Sequence, residues 1–293
     1  MKRHLPRLKR FFLLSVILVL VLAPPAAAKR KVTLLLMPLD SPSVMYARFL
    51  PFKRYLESRL GIPVELKVAK KRSEIIEALK KGDADLAFLC PSLYCEASKQ
   101  MPPSKPLVPL AKLRVNGSSV YRSVLLVRDD SGIKKVSDLS GRTFVYGRYY
   151  CPGSGLLPDF ILRKAGIRQG DFMDVVRLGS DRSAVLAVLA RLFDATGVSE
   201  ETAKPYLGKG LRIIGYSRPI PQYLFAARGD LDPRLLRKIE KTMLLVNSLK
   251  KPGDVLGGME PGTDGLSKAR DRDYDVVRAL LRRERDSKGV SNP

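Results

Sequence analysis

Residues 81–94 read Lys81-Gly82-Asp83-Ala84-Asp85-Leu86-Ala87-Phe88-Leu89-Cys90-Pro91-Ser92-Leu93-Tyr94. Gly82-Asp83 makes a turn into a buried strand, Ala84–Leu89, and Pro91-Ser92 opens a helix. Upstream, Ser73 caps a helix with Glu74 and Glu77 near its positive end and Ile75, Ile76 and Leu79 turned inward. Val64–Val68 alternates as a strand. Before it, Met45, Phe49, Phe52, Leu56 and Leu60 share one helix face that Gly61 terminates. Val32–Met37 is a nearly continuous apolar run ended by Pro38. This β-α-β-α-β-α alternation predicts an α/β fold with a mainly parallel sheet flanked by helices.

Downstream, Pro102, Pro103, Pro106 and Pro109 punctuate the chain. Strands are expected at Val120–Val127, Thr143–Tyr146, Phe193–Val198, Leu211–Tyr216 and Gln222–Ala227. Helices are expected at Leu157–Ala165, Asp181–Leu192, after Ser199, and near 232–248 and 272–285. The pattern predicts a second α/β lobe, 119–217, inserted into a first lobe made of 29–118 and 218–293. Two such lobes meet along a cleft.

The chain has 293 residues and is 45% apolar, enough for a real core. Its only histidine is His4. Residues 2–10 carry Lys2, Arg3, Arg7, Lys9 and Arg10. The apolar run Phe11–Leu22 follows, then Ala26-Ala27-Ala28. Basic region, short apolar run and small-residue site are the parts of a secretory signal peptide, expected over 1–28. The run is too short for a membrane span, so the expected location is periplasmic. Once the signal is cut, no histidine is left for Ser-His-Asp or Cys-His catalysis or for a His-ligated metal. Five of the +24 net charges lie in the signal, leaving +19 beyond it. That surplus suits anionic partners. No nucleic-acid motif accompanies it, so nucleic acid is not an expected partner.

Ligands of open α/β sheets bind beyond the carboxyl ends of strands. The loops there are Pro38-Leu39-Asp40-Ser41-Pro42-Ser43, Cys90-Pro91-Ser92-Leu93-Tyr94, Cys151-Pro152-Gly153-Ser154-Gly155 and Gly179-Ser180-Asp181-Arg182-Ser183. Each is a strand-to-helix turn rich in Ser, Gly and Pro. Free backbone N–H groups at helix starts, with hydroxyls beside them, cradle small oxyanions. Arg182 is expected to add a charge-assisted contact, with Tyr46, Tyr94 or Tyr149 closing on the ligand. Taken singly, each Ser is better read as the cap of its own helix, and it is the four turns together that suggest a cradle.

At these residues the chain resembles the phosphonate/phosphite/phosphate-type substrate-binding proteins of ABC transporters, in the type 2 periplasmic binding protein superfamily. The resemblance is carried by Lys81–Phe88 and Pro91-Ser92-Leu93-Tyr94, then Tyr121–Arg128 with Ser131-Gly132-Ile133, and Asp138–Arg142. It continues through Ser154–Pro158, Ala184–Leu189, Ser217–Pro221 and Ala227–Leu231. It implies two lobes joined by two hinge segments that close on the ligand, a non-enzymatic role, no cofactor, and a monomer. Its partners are a small anion and a membrane ABC permease, or a sensor kinase in a sensing variant of the same fold. It further implies ligand contacts from Ser92 and Tyr94 and from Gly153, Ser154 and Gly155. Ser41 and Ser43 are expected beside them. Asp181-Arg182-Ser183 stands where family members often have Ser-His-Asp, so Arg182 keeps a donor and Ser183 lacks the acid. Ser199 and Glu200 fill the usual ligand-facing position after the Phe193–Val198 strand.

Cys90, Cys95 and Cys151 lack metal-site spacing, and no metal is expected. A Cys90–Cys95 disulfide and buried free thiols both remain open. Cys151, at a helix start, is the one candidate for a lowered-pKa nucleophile, without a histidine to serve as its base.

Overall fold

The computed structural model describes residues 31–148 and 151–287, with the backbone alone at 286 and 287. The expected signal peptide and Tyr149 lie outside these residues. β1 (Val32–Leu36) is buried along its whole length. α1 (Pro42–Leu60) carries proline in its first turn, where the missing N–H is no loss, and stops at Gly61 in left-handed conformation (φ 68°). β2 (Val64–Val68), α2 (Arg72–Lys81), β3 (Leu86–Leu89) and α3 (Pro91–Gln100) follow as read. Next comes a strand the sequence did not announce, β4 (Leu107–Val115).

The expected strand 120–127 is broken at Arg122 into β5 (Val120–Tyr121) and β6 (Ser123–Arg128), because the chain changes sheets there. β7 (Thr143–Tyr146), α4 (Leu156–Lys164), β8 (Asp174–Arg177) and α5 (Asp181–Leu189) follow. α5 ends earlier than expected, and Arg191 beyond it turns left-handed (φ 64°). β9 (Ala195–Ser199), α6 (Glu200–Ala203) and β10 (Leu211–Tyr216) complete this stretch. The chain then forms β11 (Ile220–Pro221), β12 (Leu224–Arg228), α7 (Pro233–Leu245), α8 (Gly253–Leu256), β13 (Thr263–Lys268) and α9 (Asp275–Ser287).

One sheet has the order β13-β4-β12-β3-β1-β2 and the other β10-β6-β9-β7-β8. Both are mixed rather than mainly parallel. In the first, β1 pairs in parallel with β2 and β3, while β12 and β13 run antiparallel to their neighbours. In the second, β7 is parallel to β8 and β9, while β6 is antiparallel to β9 and β10. The cause is the connection between sheets. β4 runs toward the joint and β12 returns from it, so the two must oppose each other. The joint itself is the ribbon β5–β11, pairing Tyr121 with Ile220 and Val120 with Pro221.

The first lobe's core is centred on Phe49, Phe52, Phe88 and Phe225, with ring centroids 4.9–6.5 Å apart. The second sheet has a separate apolar layer on each face, one with Val185 and Val188 of α5 and one with Ile161 and Leu162 of α4.

Candidate functional site

Strand register places the site. β12 leaves the hinge ribbon and sets Leu224 opposite Leu89, so the carboxyl end of β3, and Cys90 after it, lie at the hinge. β6 also leaves the ribbon, with Ser123 opposite Ser199. β7 runs beside β9, with Tyr146 opposite Gly197. The carboxyl ends of β3, β7 and β9 therefore converge at one joint, where strand-end rules put a ligand. β13 begins at the same end: Thr263 pairs with Val115, and the Asn116 N–H donates to the Gly262 carbonyl at 2.9 Å.

From the first lobe, buried Cys90 and Ser92 reach this joint, their side chains 3.3 Å apart. From the second comes the turn 151–155. It is pinned to the hinge because the Ser123 hydroxyl lies 2.6 Å from the Gly153 carbonyl. A Cβ at Gly153 would sit 3.2 Å from the Tyr121 ring and 3.4 Å from the Ser199 side chain, so the close approach favours glycine. Ser154 lies beneath the turn, fully buried, its hydroxyl donating to the Arg148 carbonyl at 3.3 Å. Cys151 meets the Tyr223 hydroxyl at 3.3 Å. Ser92, Cys151, Pro152 and Gly155 line one end of a groove of ≈ 1220 Å³ that continues between α3, α4 and α9.

The other expected contacts are held by neighbouring side chains or exposed, and Ser199 stands at the joint as a helix cap. Tyr94 is fully buried; its ring packs 4.7 Å from that of Tyr274 and its hydroxyl donates to Asp271 at 2.6 Å. Arg182 is exposed, and the inward residue of its turn is Asp181, whose Oδ1 accepts the Arg148 N–H at 2.9 Å. Glu200 is held in a two-pronged ion pair with Arg122, at 2.8 and 2.9 Å, and Arg122 also lies over the Tyr216 ring. Ser199 caps α6, accepting from the Thr202 N–H. Ser41 and Ser43 are exposed at the start of α1, 3.3 Å apart, next to the Asp40–Arg48 ion pair. Tyr46 is also exposed.

The joint instead gathers residues that reading the sequence passed over: Tyr121, Arg148, Tyr223 and Glu260. The Tyr121 hydroxyl is buried without a hydrogen-bond partner among the described residues. Arg148 follows directly on Tyr146-Gly147. Gly147 lets Asp181 close onto this backbone: a Cβ there would fall 2.1 Å from Asp181 Oδ1. Among the described residues the guanidinium of Arg148 makes no hydrogen bond or ion pair, though Asp181, Cys151, Tyr223 and Glu260 all act on its charge. Arg148 lies in the loop after β7, a strand end where a ligand is expected, but a lone arginine there carries no motif. Nothing in the local sequence marks Tyr223 or Glu260.

Burial, and to a lesser degree the charge of Asp181, push the Cys151 thiol up to about 11. A nucleophilic cysteine needs the opposite shift. All three cysteines are free thiols, and Cys95 is held near 12 by burial. No cluster of metal-ligating side chains occurs among the described residues.

Two mixed sheets linked by paired crossing strands, with strand ends and polar side chains of both meeting at the link, define a two-lobed binding protein. The chain belongs to the family of ABC-transporter phosphonate periplasmic substrate-binding proteins, whose model matches residues 34–274. It is 27% identical over 273 residues to the phosphate-import protein PhnD of Mycolicibacterium smegmatis, covering 84% of each chain. It is 26% identical over 192 residues to the phosphonates-binding periplasmic protein of Escherichia coli, covering 62% of this chain and 56% of that one. The solved structure of PhnD1 from Prochlorococcus marinus in complex with methylphosphonate shares the fold. It superposes with a TM-score of 0.72 at 17% identity, over 87% of this chain and 98% of that one.

Proposed function

We propose that this protein captures a small phosphorus oxyanion, a phosphonate, phosphite or phosphate, between its lobes and delivers it to an ABC permease. The observation that carries this reading is Arg148. A guanidinium desolvated in a cleft without a bonded counter-ion is an unmet demand for an anion, and its fork fits a tetrahedral oxyanion. Ser92 and the turn 151–155 flank it with hydroxyl and backbone donors, and the Tyr121 hydroxyl offers one more. The relatives named for phosphate and phosphonate point to the same ligand class. Export by the basic and apolar segment ahead of Ala28 completes the role. No helix among the described residues is long and apolar enough to cross a membrane.

The test is thermal stability and calorimetry of the purified protein, refolded to strip ligand. The panel is methylphosphonate, 2-aminoethylphosphonate, phosphite, phosphate, sulfate and a neutral control. At 100 times its dissociation constant, a true ligand adds about 2.7 kcal/mol. Arg148→Ala should weaken its binding by about a hundredfold or more, in line with removing one partner of a buried charge pair. Arg182→Ala should change it less than about threefold, because an exposed charge contributes little. If no phosphorus oxyanion stabilises the wild type, the reading fails.

A further inference from the structure

α7 has two unlike faces. Leu235, Ile239, Thr242 and Met243 turn inward. Away from them Arg234, Arg237, Lys238, Lys241 and Leu245 are all exposed, and helical geometry puts the five within about 100° of arc. The acid at the head of the helix, Asp232, is engaged in its cap, accepting from the Arg234 and Leu235 N–H groups. Glu240 stands off the stripe and is paired with Lys268 at 2.9 Å. Among the described residues the side chains of Arg234, Arg237 and Lys241 have no hydrogen bond or ion pair.

The last turns of α1 lie against this stripe. Lys238 Nζ donates to the Leu60 carbonyl at 2.7 Å, and the Tyr55 hydroxyl donates to the Thr242 carbonyl at 2.9 Å. Exposed Arg59 lies over the Tyr55 ring, 5.9 Å from its centroid, and adds a cation at the edge. The chain enters the lobe at this same edge. The Val32 N–H donates to the Pro63 carbonyl at 2.9 Å, just past the end of α1, and Lys29-Arg30-Lys31 immediately precedes Val32. The segment read as membrane-directed therefore joins the lobe beside the stripe.

Like charges three and four residues apart on a helix repel, and a dense anionic surface relieves that repulsion. α7 contains no aromatic residue to anchor a protein interface. Its apolar face is committed to the core, so it cannot insert as an amphipathic helix does. We propose that this face, α7 with the end of α1, rests on anionic lipid headgroups, held by electrostatic attraction, with Leu245 at its margin. The placement leaves ligand capture free. β1 lies between β2 and β3, so right-handed connections put α1 and α2 on opposite faces of the sheet. α7 packs with α1, α3 with α2, and α9 with α3. The groove between α3, α4 and α9 thus lies on the face turned away from the stripe.

The test is sedimentation of the purified protein with vesicles of equal parts phosphatidylglycerol and phosphatidylcholine, and with phosphatidylcholine alone. The protein should bind the anionic vesicles at about 0.1 M salt and leave them at about 0.5 M, as the screening length falls below about 5 Å. A cation near an anionic bilayer strengthens adsorption about fivefold, so the triple variant Arg234→Gln/Arg237→Gln/Lys241→Gln should bind about a hundredfold more weakly. Its circular dichroism spectrum should be unchanged, since all three side chains are exposed; Lys238 is kept because it holds α1. Removing the same charge from exposed positions of the second lobe, with Arg142→Gln/Lys164→Gln/Lys209→Gln, should change binding less than about threefold. Equal binding to neutral vesicles, a stripe variant that binds like the wild type, or equal losses in the two triple variants overturns the proposal. Binding to polyglutamate but not to vesicles overturns it as well and places an acidic protein on this face instead.

Discussion

Ser92 and Tyr94 stand two residues apart on α3, about 200° around the helix axis, so one helix cannot turn both toward the hinge. Ser92 faces the joint, and Tyr94 points into the contact with Asp271 and Tyr274. The cost of burying its ring and hydroxyl is met by that partner. Burial alone would raise the Asp271 pKa. Hydrogen bonds from Tyr94 and Arg278, with the charge of Arg278, outweigh it and hold the carboxyl below its ordinary range. Its stabilising effect is therefore present above the unfolded carboxylate pKa and is lost as pH falls through the lower folded value. Tyr94→Phe should lower stability by about 1 kcal/mol at pH 7, and the deficit should shrink toward pH 3. Urea unfolding at the two pH values measures this. Ligand affinity should stay within about twofold, and a tenfold loss would put Tyr94 back in the site.

β4 and β13 escaped reading for reasons that belong to the sheet. β4 is interior, between β12 and β13, yet it contains Pro109. The proline is tolerated because the register slips there: Phe225 faces Ala111 while Ala226 faces Pro109, leaving Leu110 as the extra residue of a bulge. A bulge is a property of the pairing, and the local sequence does not encode it. β13 reads as Thr-Asp-Gly-Leu-Ser-Lys, too polar to suggest a strand. Its outer edge is satisfied by the Asn247 amide, which both donates to and accepts from the Leu266 backbone at 2.8 and 2.9 Å. The helix α4 is set on β9 through Gly197, where a Cβ would fall 2.4 Å from Pro158. Gly197→Ala should force α4 outward and lower stability by about 1–3 kcal/mol, read from denaturant midpoints. No change would mean that α4 can shift freely, and the turn 151–155 with it.

Across the whole molecule, one short ribbon carries both crossings between the sheets. α9 packs on α3 of the first lobe and on α4 of the second, so it spans the same joint. Such a joint permits hinge closure. Saturating phosphorus ligand should reduce the radius of gyration in solution scattering, and Arg148→Ala should abolish the change at the same concentration. An unchanged radius with ligand demonstrably bound would mean that binding occurs without hinge motion. The burial of Cys151 beside Tyr223 also explains why this thiol is not activated: desolvation disfavours the thiolate, and α4 begins only at Leu156, so Cys151 lies outside its first turn.

The sequence by itself determined the α/β class and the helix stops such as Gly61. These depend on local turn chemistry and on apolar periodicity, which neighbouring residues specify. Tertiary structure alone decided the antiparallel returns, the bulged β4, and which side chain of each loop faces inward. Those choices depend on register and helix phase relative to distant strands. It brought Cys151 and Tyr223, 72 positions apart in the chain, within 3.3 Å of each other because the turn after β7 and the start of β12 both lie at the hinge.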